Sequence, residues 1–185
     1  MVANTERTDP DYKIGKALFS EKEIGDRVQL LANKIVSEMS GRDLLVVGIL
    51  NGAVIFLSDL VRRMPAEFNV KIDFMSISSY GNAAKSSGVV RILKDIGSDI
   101  EGRDVLVVED IIDTGLTLSY LLNIMYTRKP AHLRTCVLLD KQEKREVAVK
   151  VDYCGFVIPD VFVVGYGLDY GGKWRHLPDI RAVDF

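Results

Sequence analysis

Histidine, cysteine and tryptophan are scarce in this chain: two, two and one among 185 residues. His132 and His176 lie far apart, and neither falls in a His/Cys ligand spacing, so nothing points to a structural zinc site. Cys136 and Cys154 sit inside apolar, strand-like runs, TCVLL and DYCGF, and read as reduced core residues rather than a disulfide or redox pair. An excess of one charge is also missing. With 24 basic and 26 acidic residues the net charge is −2, and without a basic block no nucleic-acid partner is called for. No run approaches the ~20 apolar residues of a membrane span, and the N-terminus lacks the apolar core of a signal peptide. These absences set the expectation of a soluble cytoplasmic protein with no membrane partner, in which any metal is a hard ion held by carboxylates.

What is present is ordinary globular material, 48% hydrophobic and 27% charged. The length suits a single domain, 1–185, able to bury about two-thirds of its unfolded surface. Residues 1–13 are polar and read as a frayed tail. Ser20 and Glu23 form a capping-box pattern, and Ile24, Val28, Leu31, Ile35 and Met39 repeat at helical spacing up to Ser40-Gly41. DLLVVGIL (43–50) reads as a buried strand, followed by a helix over 53–64 that Pro65 closes. Strands are predicted at 70–78 and 89–95, joined as a long hairpin through SYGNAAKSSG (79–88), a loop without periodicity. Further strands are expected at 104–108, 133–139 and 160–167, with a helix over 116–128. Strands alternating with helices imply an α/β fold with a mostly parallel sheet, whose ligands bind at the carboxyl ends of the strands. LNG, EDIIDTG and LLDK all begin there.

VVEDIIDTGLTL (107–118) sets Glu109, Asp110 and Asp113 against Thr114, Gly115 and Thr117, residues whose amides and hydroxyls suit a phosphate. A solvated helix cap needs one such side chain, not three. VLVVED resembles the first strand of a two-component receiver, but 104 residues precede it and Asp160 begins a predicted strand where an acceptor should end one. DTG as an aspartic-protease triplet fails because this DTG opens a helix. A Walker loop is ruled out because GxxxxGK[ST] is absent. One small ligand satisfies both polarities, a ribose 5-phosphate. Its hydroxyls donate to the acceptor-only carboxylates, and its phosphate rests at the helix N-terminus.

The same stretch resembles the phosphoribosyl-pyrophosphate motif of type I phosphoribosyltransferases. LNGA (50–53), SSYG (78–81), LLDK (138–141), IPDVFVVGYGLDY (158–170) and WRHLP (174–178) resemble, in order, segments of the hypoxanthine-guanine branch. The resemblance implies that fold, with a central sheet, a small hood and a flexible lid over 79–88 carrying Ser79 and Tyr80. It also implies purine salvage: phosphoribosyl transfer from phosphoribosyl pyrophosphate to a 6-oxopurine. By the resemblance, Glu109 and Asp110 bind the ribose hydroxyls, the loop of Asp113, Thr114, Gly115, Leu116 and Thr117 binds the 5-phosphate, and Asp113 is the general acid/base. Lys141 reads the 6-oxo group, Phe162 stacks on the base, and Ile111 and Val163 line its pocket. Asp169, with Glu109 and Asp110, holds Mg²⁺. Arg175 grips pyrophosphate, as do Leu50, Asn51 and Gly52 through a non-proline cis peptide. A homodimer or homotetramer is implied too.

Two positions depart from the pattern: Asn51 stands where many members carry Lys or Arg, and Leu116 where some carry Lys or Asn. Read alone, Phe162 is a core residue and Lys141 a solvated lysine; position in the predicted fold is what lifts both. Departure of pyrophosphate leaves positive charge on the sugar, and Mg²⁺ and Arg175 would answer the negative charge opposite it. A closed lid would keep water from the activated sugar. The rival from another class is a regulator that senses phosphoribosyl pyrophosphate on the same fold, for which a basic face or added DNA-binding segment would be expected.

Overall fold

The computed structural model describes residues 13–79 and 90–185. The expected lid, with Tyr80, lies outside the described residues apart from Ser79, and so does the tail as far as residue 12. Lys13, assigned to the tail from sequence, instead opens the first strand, β1 (Lys13–Phe19).

The capping box forms as the sequence predicts. Glu23 N donates to Ser20 Oγ at 3.3 Å, while Ser20 N donates to Glu23 Oε2 at 2.8 Å. This satisfies two backbone donors at the start of α1 (Glu21–Glu38), whose buried stripe is Ile24, Val28, Leu31, Ala32 and Ile35. β2 (Leu44–Leu50) follows, then α2 (Val54–Arg62), β3 (Val70–Ser79) and β4 (Val90–Lys94). β5 (Asp104–Ile112) leads into α3 (Leu116–Thr127), and β6 (His132–Asp140) and β7 (Tyr153–Val157) complete the main sheet.

That sheet has six strands in the order β4-β3-β2-β5-β6-β7. All its pairs are parallel except the β3–β4 hairpin. Alternation along β2 explains how it joins two cores. Leu44 and Val46 pack with α1 and α2, while Leu45, Val47 and Ile49 pack on the face that α3 covers. Each such fully buried side chain contributes about 1.5–3 kcal/mol of hydrophobic stabilisation. A second sheet, β1-β9-β8, is antiparallel, with β8 at Phe162–Val164 and β9 at Ile180–Asp184.

The chain order fixes where a crevice opens. From β2 the chain moves outward to β3 and β4, then returns to place β5 on β2's other flank. Strands that depart in opposite directions leave a gap beyond their carboxyl ends. Leu50 ends β2 at that gap with Asn51 and Gly52 after it, and residues 113–115 follow β5.

Two boundaries differ from the sequence reading in ways that matter for the site. β5 does not stop at 108 but pairs with β6 through Ile112, with Glu109 opposite Val137 and Ile112 opposite Asp140. The acids therefore sit on a strand, and the loop proper is only 113–115. The strand expected over 160–167 is three residues long, because Gly165, Tyr166 and Gly167 take φ of 98°, 50° and 102°.

Candidate active site

The end of β5 carries the two acids into the crevice with their backbone already held by the ladder. Glu109 is half-buried, but its Oε2 is sealed from solvent and has no hydrogen-bond partner among the described residues. Burial, and then the neighbouring Asp110, push its carboxyl well above the ordinary range. Burial also raises Asp110 to about 6, although the amide of Ile111 donates to its Oδ1 at 2.8 Å. Across the gap, the peptide joining Leu50 to Asn51 is cis. Gly52 lies so close to Asp110 that a Cβ would fall 1.5 Å from Oδ2. Leu50, Asn51, Gly52, Glu109, Asp110, Thr117, Asp169 and Arg175, with Ile49 and Ile77, line one open cleft of about 400 Å³.

Next to it, α3 begins on Gly115 in a left-handed conformation, φ 84°, which suits a residue without a Cβ. Thr114 Oγ1 accepts from the amide of Leu116 at 3.3 Å. A smaller cradle of about 180 Å³ is lined by Glu109, Ile111, Ile112, Asp113, Thr114, Gly115, Thr117 and Leu118. Here a helix N-terminus, whose orphan amides favour anions, stands beside carboxylates that favour donors. The two polarities predicted for one ligand are adjacent.

The third side carries paired charges. Lys141 is buried, 4% exposed, with Nζ 3.2 Å from Asp113 Oδ1 and 3.5 Å from Asp160 Oδ1. Lys144 Nζ lies 2.9 Å from Asp160 and 4.0 Å from Asp113. Two lysines and two aspartates thus form one cluster at the end of β6. Phe162, two residues beyond Asp160, is 41% exposed and meets Tyr170 and Phe185 edge-on at 5.4 and 5.5 Å. Val163 is buried behind it. The segment after β8 brings in Asp169 and Arg175, paired at 2.6 Å. Arg175 Nη1 also donates to Gly167 O at 2.7 Å, and Asp169 Oδ2 accepts from the amide of Gly172 at 2.7 Å.

Residues separated by more than 120 positions in the chain therefore meet as expected around one crevice. Phe162 is tied to the lysine cluster only through the chain, and the side chain of Ser79 is outside the described residues. Sequence reading missed Lys144, Arg145 and the pairing role of Asp160. The stretch KQEKRE looks like any solvated charged turn, and no local signal separates it from one. No group of three or more His, Cys, Asp or Glu side chains among the described residues is arranged to hold a metal. The carboxylates that line the cleft, Glu109, Asp110 and Asp169, are of the type that suits a hard cation taking its other ligands from substrate oxygens and water.

Sheet order, crevice and paired polarities define a type I phosphoribosyltransferase, and residues 15–171 match the family described as phosphoribosyl transferase domain. The hypoxanthine-guanine phosphoribosyltransferase of Bacillus subtilis is 46% identical over 93% of this chain and 94% of its own length. A crystal structure of such an enzyme from Bacillus anthracis superposes with a TM-score of 0.86 at 42% identity, covering 94% of this chain and all of that one. The chain belongs to the hypoxanthine-guanine phosphoribosyltransferase family. It also matches the bifunctional TilS/HprT protein of Listeria innocua at 48% identity over 90% of this chain, and there it spans about a quarter, 26%, of the relative's length.

Proposed function

We propose that this chain transfers the 5-phosphoribosyl group from phosphoribosyl pyrophosphate to a 6-oxopurine, hypoxanthine and guanine, releasing pyrophosphate. The observation that carries the reading is the crevice at the β2/β5 gap. There, half-buried carboxylates and an anion-favouring helix start lie side by side.

Glu109 and Asp110 take the ribose hydroxyls, and the 113–117 loop takes the 5-phosphate. Without ligands, Lys141 rests against Asp113, and Arg175 against Asp169. Substrate exchanges these pairs. Lys141 turns to the 6-oxo oxygen, which frees Asp113 to face the imidazole nitrogen as general acid/base. Arg175 turns to the pyrophosphate, with Leu50, Asn51 and Gly52 along its other side. Phe162 lies against the purine face, and Ile111 and Val163 bound the pocket. Mg²⁺ would be held by Asp169, with Glu109 and Asp110 nearby, and supplies charge neutralisation on the leaving pyrophosphate when bound. Assembly as a homodimer or homotetramer belongs to the same proposal and is read by sedimentation. Among the described residues, no helix is long and apolar enough to cross a membrane. The regulator considered from sequence gains no support from the named relatives, which are enzymes.

Base choice tests the reading. A lysine ammonium donates only, so it matches a 6-oxo oxygen and mismatches the 6-amino group of adenine. An unmatched buried polar contact costs about 1–3 kcal/mol, so adenine should be rejected by well over tenfold. Lys141→Gln, whose amide also accepts, should narrow the ratio of catalytic efficiencies for hypoxanthine and adenine, mainly by losing hypoxanthine. An unchanged ratio removes Lys141 as the base reader.

A further inference from the structure

Three consecutive carbonyls, running from the end of β5 into the phosphate loop, are taken up from one side. Ile112 O accepts from Lys141 N at 3.0 Å, and Thr114 O accepts from Glu146 N at 2.9 Å and Val147 N at 3.1 Å. The middle one, Asp113 O, accepts from Arg145 Nε at 3.2 Å. Only this middle contact depends on a side chain. The guanidinium is fixed at its other end, where Nη2 donates to Asp140 Oδ1. Asp140 is 4% exposed, and its second oxygen accepts from Gln142 Nε2 at 3.3 Å. Gly115 closes the seam, since a Cβ there would lie 2.8 Å from Val147 O and 2.9 Å from Arg145 Cδ.

In a trans peptide, the carbonyl of one residue and the amide of the next point opposite ways. Carbonyls 112–114, drawn toward segment 141–147, therefore send the amides of Asp113, Thr114 and Gly115 to the other side. The 180 Å³ cradle lies on that side, and no residue of 141–147 lines it. Successive amides facing one way form an anion-binding concavity.

We infer that Arg145 is a positioning residue for 5-phosphate recognition, a strut that fixes the middle peptide of the loop so that its amides converge on the phosphate. The inference rests on the proposed reading of this loop as the 5-phosphate site. Arg145 acts from behind the loop, with its charge already matched by buried Asp140, so it orients the site rather than attracting the ligand. The sequence makes the arrangement possible because the turn over 142–144 carries the chain from Asp140 back to Arg145 within five residues.

Inosine and IMP share base and ribose and differ in the 5′-phosphate, so their affinities, measured by calorimetry, isolate the loop. The unsubstituted protein should prefer IMP strongly. Arg145→Ala should weaken IMP about tenfold or more while moving inosine less than about twofold. Added guanidinium, at concentrations too low to denature, should restore part of the lost IMP affinity. Asp140→Asn, which loosens the strut without removing it, should shift the same ratio by a smaller factor, and it carries the test if Arg145→Ala does not fold. Unchanged IMP affinity in both variants, or equal losses for IMP and inosine with no effect of guanidinium, would overturn the strut. If the unsubstituted protein binds inosine as tightly as IMP, the phosphate reading of the loop itself fails, and the strut falls with it.

Discussion

The two ends of one strand, β5, treat their acids in opposite ways. At its start Asp104 takes Arg42 at 2.8 Å and has His132 Nδ1 at 2.7 Å. Five residues further along, Glu109 holds an oxygen that has neither solvent nor a partner among the described residues, and burial lifts Asp110 to about 6. Packing and strand geometry are common to both ends, so the difference lies in what surrounds them. The edge away from the crevice neutralises itself. The crevice edge leaves oxygens in want of partners, and the proposed ligand brings the hydroxyl donors that would fill them. Function is legible here as a deficit in the folded chain.

The sharpest way to break that comparison is at Asp113, the proposed general acid/base. Asp113→Asn should lower turnover by ~10²–10⁴-fold while leaving the melting temperature nearly unchanged. A folded variant that turns over at the original rate would sink the assignment.

Glu109→Gln and Asp110→Asn come next. Each should weaken phosphoribosyl pyrophosphate by about 10- to 100-fold and leave the free base little affected. The same changes should stabilise the ligand-free, metal-free protein at neutral pH. Asp110 has its folded value raised from 3.8 to about 6, so its contribution to stability is fully present below about pH 4 and is lost as pH rises through 6. Thermal melts of the unsubstituted chain should therefore lose stability across that interval, and Asp110→Asn should flatten the loss. Melts that run parallel in the two proteins would mean the deficit at this edge is not real.

Asn51→Lys adds a cation to the crevice from an exposed position. If the pyrophosphate contacts there are made by backbone amides, affinity should change by less than about tenfold, ~1.4 kcal/mol. A larger gain would assign charge recognition to that side chain. The smallest effect is expected at the opposite edge. Asp104→Asn should cost about 1 kcal/mol of stability and leave kcat and KM where they were. A shifted KM would show that the two edges are not independent.

The chemistry-bearing parts of this molecule were easier to read than its plainest strands. LLVVGIL, DVLVV and RTCVLL announce themselves because strands buried on both faces are continuous apolar runs. β1 and β9 do not. KIGKALF is mostly exposed or half-exposed, and IRAVD is five residues following Pro178; each is a strand because it pairs with the other, Ile14 opposite Val183 and Phe19 opposite Ile180. Pairing between positions more than 160 residues apart leaves no local trace. β7 was read only as a strand-like run around Cys154 and was not placed among the strands of the sheet. The acids of β5 misled in the other direction. Charge at Glu109 and Asp110 suggested that the strand had ended, whereas the ladder to β6 continues past both. Lys141 was found because it follows directly on a recognisable strand. Arg145 was not, because its partners, a carbonyl at 113 and a carboxylate at 140, are set by how a turn folds back.

Gly52 and Gly167 have a further consequence. A methyl on the first would land 1.5 Å from Asp110 Oδ2, and one on the second 2.1 Å from the carbonyl of Gly52. Main sheet, crevice loop and the turn after β8 are thus stacked at the minimum thickness a polypeptide permits. At these two positions the genetic alphabet contracts to a single letter for reasons that involve no chemistry of the reaction. A survey of tolerated substitutions would rank both glycines with the proposed acid/base residue, and intolerance to change at this crevice is therefore a poor guide to which of its residues touch a ligand.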